Sequence, residues 1–249
     1  MRSILRDGHH VDGVMIFEFF TPAIPTLMEQ AGASFILYDM EHTGISFDGL
    51  RDQVSYCRGL SVQPMVRVPR GQYSFLARAL DIGMRGVMIP MVESLKEAQE
   101  IVQACRYPPQ GRRGAAFGFA HDHYQSGDPA QIMHQANEDI VVIAQIETER
   151  GLEAVDDIAA CEGIDVLWIG HFDLTNFLGI PGQFDHPLYK DAVAKTVQAA
   201  RRHGKACGIM AANATWAEQY KALGFSMIAY GPDHQLLKQA MSDLINGGR

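Results

Sequence analysis

The sequence predicts an α/β protein of the (β/α)8 TIM-barrel class, and three observations lead to this prediction. Eight short apolar segments alternate with helical patterns from one end of the chain to the other. Most of these segments lack alternating polar residues, as is typical of parallel strands that are covered on both faces. The chain has 249 residues, a length at which an α/β barrel forms one domain. We therefore expect a single barrel domain over residues 1–249.

Each predicted strand is a short apolar run between turn residues. The first is GVMIFEF at 13–19, and the others lie at 35–42, 63–69, 86–93, 140–147, 164–174, 206–212 and 226–232. Helical patterns fall between the strands, and glycine follows several of them, as is common at a helix C-terminus. A doubly wound sheet is the alternative architecture, but no GxGxxG pattern follows the first strand.

One long segment interrupts the alternation, at 108–139 between the fourth and fifth strands. It is rich in glycine, proline and histidine, so we interpret it as an elaborated loop with a short helix. Loops of this length in a compact domain usually have a function or form contacts between chains. Its HDH sequence, with His121 and His123, could bind Zn²⁺ or another transition metal, although no third ligand is evident nearby.

Composition excludes several classes of partner. The net charge is −8 and no basic run occurs, which argues against nucleic acid or an anionic membrane surface as partner. The four cysteines, far apart and without a CxxC pair, are expected to be reduced core thiols: Cys57, Cys105, Cys161 and Cys207. No apolar stretch is typical of a signal peptide or a membrane span, so a cytoplasmic location is expected.

Polar residues collect where the predicted strands end, and in a parallel barrel these ends form the mouth that carries the chemistry. These residues are Asp39, Glu41, His42, Arg67, Glu93, Gln145, Glu147, His171 and Asp173. Such residues are costly at an apolar barrel mouth unless something compensates them. Two carboxylates on adjacent strands, Glu147 and Asp173, with Arg67 and His42 across the mouth, indicate a site for Mg²⁺ or Mn²⁺.

Structural explanations for the same residues remain open. Glu147 could interact with the N-terminus of the helix that follows it, and Asp173 could be a turn or cap residue. Arg67 could be a surface cation, and His42 a hydrogen-bonded structural imidazole. Both carboxylates being incidental at adjacent strand ends is the less favoured interpretation.

Six motifs in chain order resemble the HpcH/HpaI aldolase family, the metal-dependent (class II) pyruvate aldolases of the phosphoenolpyruvate/pyruvate barrel superfamily. The same group includes macrophomate synthase. The motifs cover most of the chain and read DMEHTG, MVRVP, ALDIGMRGVMIPMVE, YPPQGRRG, IAQIETERGLE and WIGHFDL.

The resemblance implies a role for each residue at the mouth. Glu147 and Asp173 would bind a divalent metal, Mg²⁺ or Mn²⁺ with Co²⁺ or Zn²⁺ as alternatives. The pyruvate moiety would be held by Gln145 and by the backbone around Phe172, with Met210 as a further substrate contact. Arg67 would face the 2-oxo oxygen and stabilise the enolate.

Proton transfer is implied for a second group of residues. His42 would act as acid and base on the 4-hydroxyl, directly or through a metal-bound water, with Asp39 near that water. Asp81 matches the carboxylate that raises the basicity of this histidine in the family. Asp81 precedes the fourth strand and so lies at the wrong end of its own barrel. It could act only from a neighbouring subunit, which fits an expected homo-oligomer, a trimer or a hexamer.

The implied reaction is the reversible cleavage of a 4-hydroxy-2-oxoacid to pyruvate and an aldehyde. A metal and Arg67 would stabilise the enolate, so no Schiff-base lysine is needed, and no lysine occurs at any predicted strand end. Oxaloacetate decarboxylation or macrophomate-type chemistry would use the same enolate. A barrel without catalysis and a Zn²⁺ hydrolase built on His121 and His123 are the remaining alternatives.

Three segments depart from the family pattern. FEFFTPAIPTLM after the first strand is bulky and aromatic, where relatives tend to be small and polar. Tyr230 and Pro232 in SMIAYGPDH, and His171 and Phe172 in WIGHFDL, replace smaller or different residues. Since all three lie around the mouth, the aldehyde partner is expected to differ from that of the commonest members.

Overall fold

The structure is a computed structural model that describes residues 1–247, and its eight strands form a closed parallel barrel in chain order. Strand β1 pairs with β8 to close it, with Val11 opposite Met227. The strands are β1 (Val11–Ile16), β2 (Phe35–Asp39), β3 (Gln63–Arg67), β4 (Gly86–Ile89), β5 (Val141–Ile146), β6 (Val166–Ile169), β7 (Ala206–Ala211) and β8 (Met227–Tyr230). The predicted (β/α)8 class is confirmed, and the doubly wound alternative is excluded.

Helices surround the barrel and alternate with its strands. They are α1 (Arg2–Arg6), α2 (Ile24–Gln30), α3 (Phe47–Tyr56), α4 (Tyr73–Asp81), α5 (Leu95–Cys105), α6 (Pro129–Asp139), α7 (Glu149–Glu153), α8 (Val155–Ala160), α9 (His171–Phe177), α10 (Pro187–Arg202), α11 (Ala214–Leu223) and α12 (Asp233–Ile245). Within the segment 108–139, a 3₁₀ turn at Ala120–Asp122 precedes α6. The short helix expected there is therefore present.

The predicted strands extend too far at their C-terminal ends, and two of these errors affect the site. Strand β6 ends at Ile169, and the Leu174 N–H bonds the Gly170 carbonyl at 2.8 Å, so a helix begins where a longer strand was predicted. Strand β4 ends at Ile89 rather than reaching Glu93. Apolar content alone could not reveal either end, because apolar residues continue past both: Pro90, Met91 and Val92 follow β4, and Phe172 and Leu174 lie in the first turn of α9.

Side-chain alternation along the strands separates two apolar layers. One cluster fills the barrel interior and includes Phe35, Leu37, Met65 and Trp168, whereas a larger cluster packs the outer strand face against the helices. The interior positions become polar only near the strand ends, so the same alternation that fills the barrel also directs polar side chains to its mouth. Those polar interior positions are Asp39, Arg67 and Gln145.

Side-chain caps begin several helices at the mouth. Each cap accepts a hydrogen bond from a backbone N–H in the first helical turn, which satisfies a donor that the helix itself leaves unpaired. The capping residues are Ser46 on α3, Ser94 on α5, Thr148 on α7 and Asn213 on α11. These caps fix where each loop of the mouth ends.

A buried ion network closes the opposite end of the barrel. Asp165, just before β6, accepts from Arg2 Nε at 2.6 Å, from Arg106 Nη2 at 2.8 Å and from the Val142 N–H at 2.9 Å. Arg106 also donates to the carbonyls of Asn137 and Ile140, each at 2.8 Å. The network ties α1, α5 and the end of α6 to the sheet, away from the mouth.

The expectation for the cysteines is confirmed, because all four are buried and free. A search of residues 1–247 finds no helix with the length and apolar character needed to cross a membrane.

Replacing Asp165 by Ala should reduce the free energy of unfolding by about 3–5 kcal/mol, because two buried guanidinium groups lose their shared partner. Urea denaturation followed by circular dichroism measures the change. Asp156→Ala is the matched control, since its partner Arg202 is exposed, and it should cost under about 1 kcal/mol. Equal losses in the two variants would contradict a structural role for the buried network.

Candidate active site

Asp39 is the fully buried centre of one side of the mouth. Its carboxylate accepts from Arg67 Nε at 2.5 Å and from the backbone N–H groups of Glu41 at 3.2 Å and His42 at 2.9 Å. These bonds hold the turn that carries His42 and fix the guanidinium of Arg67 at the same time. In this structure Asp39 therefore orients its neighbours, and the position beside a metal-bound water that the resemblance implies for it stays a prediction.

Arg67, with 6% exposure, projects from the end of β3 into the mouth. Its Nη1 lies 3.0 Å from Glu41 Oε2, although that oxygen has no aligned hydrogen-bond donor. The ring of Phe17 covers the guanidinium, with 5.7 Å from Cζ to the ring centroid. A surface role for Arg67 is excluded by this burial and by the two carboxylates that face it.

Glu147 is only 1% exposed and lies directly after β5. Its Oε1 accepts from the Met91 N–H at 2.8 Å, and its Oε2 accepts from Gln145 Nε2. Burial raises the pKa of this carboxyl to about 7, and the charges of Glu41 and Asp173 raise the pKa further, against the Met91 N–H. Thr148, not Glu147, caps α7, so helix capping does not explain this carboxylate.

Asp173 lies in the first turn of α9, one helical turn beyond Gly170, and not at the end of a strand as predicted. Gly170, between β6 and α9, leaves the space that the Glu147 and Gln145 side chains occupy. A Cβ atom at Gly170 would contact Glu147 Oε2 and would lie 2.6 Å from Gln145 Nε2. The two metal-ligand candidates are thus brought together by a strand end, a glycine and a helix start.

Met91 has a backbone conformation that L-residues seldom adopt, with φ of 51°. The residue lies in the loop after β4 and is half exposed, so no packing of its side chain requires this conformation. The conformation directs the Met91 N–H at Glu147. Backbone strain of this kind is often retained at functional sites.

The residues of the mouth fit a hard divalent cation. Asp39 and Glu41 pair with the Arg67 guanidinium, and Glu147 and Asp173 lie near enough for their charges to interact with Glu41, so four carboxylates share one guanidinium. Gln145 Oε1 is also buried without a donor. Oxygen donors with excess negative charge are what Mg²⁺ and Mn²⁺ prefer.

The protein ligands would nevertheless be few. Within the described part of the chain, no three His, Cys, Asp or Glu side chains converge as a ready-made metal cage. Two carboxylates supplemented by substrate oxygens and water, as Mg²⁺ commonly accepts, are compatible with this arrangement.

His42 presents its imidazole to solvent at the rim, with a side chain that is 56% exposed. Its Nε2 lies 3.7 Å from Glu41 Oε2, while its backbone is held by Asp39. The imidazole is therefore free to contact a substrate above the buried carboxylates.

Phe172 and Met210 border the same mouth. Phe172 is 57% exposed and lies between His171 and Asp173 in α9. The centroid of its ring lies 4.6 Å from that of His171 and 5.3 Å from that of Phe184. Met210 is partly buried against the interior cluster near the end of β7.

Glu93 and His171, which the sequence places at the mouth, contact an arginine and an aromatic cluster instead. Glu93 pairs with Arg150 at 3.1 Å, ahead of α5. His171 packs within an aromatic cluster with Phe184 and Trp216, and burial lowers the pKa of its imidazole to about 4. His171 is therefore a neutral packing residue near neutral pH.

Asp81 is the last residue of α4, at the barrel end opposite the mouth. It pairs with Arg113 at 2.7 Å, and its side chain remains 41% exposed. It does not meet His42 within this chain, in agreement with the sequence argument about the two ends of the barrel.

The histidines of the HDH motif are not arranged as a metal site. His121 faces Asp122 at 3.7 Å, and burial lowers the pKa of its imidazole. His123 Nε2 lies 2.6 Å from Arg85 Nη2, a cationic neighbour that disfavours a metal ion. The structure therefore gives no support to a Zn²⁺ hydrolase.

Several features of the site are not predicted by the sequence. Glu41 lies near a predicted strand end, but no sequence pattern predicts its pairing with Arg67. Gly170 could have been found as a glycine directly after a buried strand, a position that often marks close approach of other atoms. The conformation of Met91 and the contact of Phe17 with Arg67 have no sequence signal.

The family model described as HpcH/HpaI aldolase/citrate lyase matches residues 15–240. The chain belongs to this family. A hydroxypyruvate/pyruvate aldolase from Delftia acidovorans is 36% identical over 231 residues, which cover 93% of this chain and 85% of that protein. The resemblance inferred from the six motifs is confirmed.

Solved structures of the family agree with the fold. An HpcH/HpaI aldolase from Desulfitobacterium hafniense DCB-2 has a TM-score of 0.95 at 30% identity, covering 99% of this chain and 95% of that one. Macrophomate synthase has a TM-score of 0.84 at 26% identity, covering 99% and 88%. Because aldolases are carbon–carbon lyases, the prediction of an enzyme of this class is confirmed.

Gly170→Ala should lower kcat/KM for aldol cleavage about 100-fold, because the new methyl group displaces the Glu147 carboxylate and the Gln145 amide by about an ångström or more. Gly170 has φ of −86°, which alanine also adopts, so the effect is steric. Metal-dependent pyruvate binding, measured by calorimetry, should weaken in parallel. Gly44→Ala is the control, since nothing lies within 4 Å of a Cβ there. An active Gly170→Ala enzyme would show that these two side chains need not hold their positions.

Proposed function

We propose that the protein is a divalent-metal-dependent aldolase that reversibly cleaves 4-hydroxy-2-oxoacids to pyruvate and an aldehyde. The observation that carries this proposal is the buried Glu147 carboxylate, held in place by Met91 and Gln145 within reach of Asp173 and opposite Arg67. In this arrangement, a metal ion bound by the carboxylates and the guanidinium of Arg67 would both face the same side of a small oxoacid.

Glu147 and Asp173 are the proposed protein ligands of the metal, Mg²⁺ or Mn²⁺, with Co²⁺ or Zn²⁺ as alternatives. When bound, such an ion supplies Lewis-acid polarisation of the 2-oxo group, which is worth several kcal/mol in stabilising the developing enolate. The excess of carboxylates in the mouth supports this assignment. Burial and then the charges of Glu41 and Asp173 raise the pKa of Glu147, and a bound cation would offset both effects.

Arg67 and Gln145 bind and orient the substrate in this proposal. The Arg67 guanidinium is fixed by Asp39 and faces the 2-oxo oxygen, where negative charge develops on cleavage. Gln145 already donates to Glu147, and its unpartnered Oε1 remains available for a donor. The backbone around Phe172, with Met210 beside it, forms the rest of the pyruvate pocket.

His42 is the proposed acid and base for the 4-hydroxyl of the substrate. Retro-aldol cleavage removes the hydroxyl proton as the C3–C4 bond breaks, and the electron pair of that bond passes to the pyruvate enolate. An imidazole suits proton transfer near neutral pH, and the rim position of His42 allows contact with the more distant half of the substrate.

Asp81 is proposed to support His42 from a neighbouring subunit of a homo-oligomer, a trimer or a hexamer. Its exposed side chain at the far end of the barrel is compatible with such a role. Helix α12 also exposes a run of apolar side chains, which is unusual for a surface without a partner. They are Leu236, Leu237, Met241, Leu244 and Ile245.

A second candidate is oxaloacetate decarboxylation or a macrophomate synthase-like reaction. Glu147 and Arg67, which are buried, together with the partly buried Asp173 are sufficient to stabilise a pyruvate enolate. His42 is separate from them at the exposed rim. The similarity to macrophomate synthase favours keeping this alternative. A barrel without catalysis is disfavoured, because it would have no need of these buried charges.

Glu147→Gln should abolish metal-dependent pyruvate binding and lower aldolase kcat/KM at least about 100-fold, because one anionic ligand is lost at nearly constant shape. The assay combines pyruvate, Mg²⁺ or Mn²⁺ and a panel of aldehydes, with adducts followed by mass spectrometry and binding by calorimetry. Glu149→Gln, the same change at an exposed residue two positions away, should behave as the unmodified protein. Unchanged metal and pyruvate binding in Glu147→Gln would contradict the proposed ligand set.

His42→Ala should lower aldol cleavage by roughly 100- to 10,000-fold and leave oxaloacetate decarboxylation nearly unchanged, because only cleavage requires a base for the hydroxyl. Steady-state assays of both reactions on one preparation provide the comparison. Asp81→Asn should reduce aldol cleavage in the same direction, if Asp81 acts through His42. Survival of both activities in His42→Ala would remove the role proposed for this residue.

A further inference from the structure

Asp233 joins two segments from opposite ends of the chain. Its Oδ1 accepts from the Phe17 N–H at 3.0 Å, and its Oδ2 accepts from the N–H groups of Glu18 at 3.1 Å and Phe19 at 2.8 Å. The side chain is buried, and its three donors follow directly after β1. Three charge-assisted hydrogen bonds to consecutive backbone N–H groups hold this segment firmly.

The carboxylate of Asp233 is not used to cap its own helix. Although Asp233 is the first residue of α12, no side-chain hydrogen bond caps that helix. All three of its bonds instead reach across the barrel closure between β8 and β1. Capping of α12 therefore does not account for the position of this side chain.

The segment held by Asp233 reaches the proposed catalytic guanidinium. Phe17 continues the inward-facing positions of β1 and packs at the top of the interior cluster. The centroid of its ring lies 5.7 Å from Arg67 Cζ. The His234 ring packs edge-on against the Phe17 ring, with 6.4 Å between the centroids. Arg67 is thus held by the Asp39 and Glu41 carboxylates and covered by an aromatic ring.

We propose that Asp233 is a positioning residue for the reaction, which fixes the segment Phe17–Phe19 so that the Phe17 ring holds Arg67 in place. The proposal rests on the role proposed for Arg67 above. The hydrogen bonds join the segment after the first strand to the segment after the last, and they need only the Asp233 carboxylate and three backbone N–H groups.

The physical consequence concerns the freedom of Arg67. A guanidinium stacked on an aromatic ring gains cation–π attraction and loses access to water. Without the Asp233 carboxylate, the segment Phe17–Phe19 would lose three hydrogen bonds, and the Phe17 ring would move away from Arg67. Water would then screen the guanidinium from the developing enolate charge. Since that charge appears in the transition state, kcat for aldol cleavage should fall more than the KM for the 4-hydroxy-2-oxoacid should rise.

The test compares Asp233→Ala and Phe17→Leu with Asn213→Ala as the matched control. Asn213 also uses its side chain at the mouth, where it accepts from the Trp216 N–H at 2.9 Å, but it caps α11 and does not hold the Phe17 segment. Three readouts are used on the native enzyme: chymotryptic cleavage at residues 17–20, phenylglyoxal modification of Arg67 mapped by mass spectrometry, and kcat with KM for aldol cleavage.

Asp233→Ala should speed cleavage at residues 17–20 and modification of Arg67 at least about 10-fold, because the segment opens locally. Phe17→Leu should lower kcat roughly 3- to 30-fold and leave the segment protected, because only the ring is lost. The double variant should be no worse than Asp233→Ala, since both act through the same contact. Asn213→Ala should lower the melting temperature without changing the three readouts.

Three results would overturn the proposal. These are a segment still protected in Asp233→Ala, an unchanged kcat in that variant despite an open segment, or equal effects in Asn213→Ala. An unmodified protein without aldolase activity would instead refute the proposed function. In that case the cleavage and modification readouts would still decide whether Asp233 positions Arg67.

Discussion

The concentration of negative charge around one guanidinium is the constraint on which the rest of the mouth depends. Asp39 and Glu41 face Arg67, while Glu147 adds its charge from the end of β5 and Asp173 from the first turn of α9. Such a group of carboxylates is unfavourable in an apolar barrel without a compensating cation. The surrounding backbone is shaped to hold these charges in place, and this is the arrangement that an enolate-forming enzyme needs.

Buried carboxylates at the two ends of the barrel have different roles: one end stabilises the fold, and the other forms the candidate active site. At one end, Asp165 is satisfied by Arg2, Arg106 and a backbone N–H, so its charge is neutralised within the protein. At the mouth, Glu147 accepts hydrogen bonds only from neutral donors, so no cationic side chain neutralises it by direct contact. The same type of side chain thus closes the fold at one end and attracts ligands at the other, and the difference lies in its partners.

The aromatic residues that distinguish this chain lie around the same mouth. Phe17 covers Arg67, and Phe172 stands exposed beside Asp173 with its ring against His171. Both side chains belong to segments that depart from the family pattern, so these departures are concentrated around the mouth.

The sequence by itself predicted the barrel and named Glu147, Asp173 and Arg67 as candidates for one mouth. Strand–helix alternation follows from local patterns along the chain, whereas the residue at which each strand ends does not. Only the tertiary structure decided how these groups are held, through the Met91 N–H, the space at Gly170 and the reach of Asp233 across the barrel closure. The reason is physical, because such contacts join residues that are distant in the chain or depend on backbone angles that no local pattern encodes.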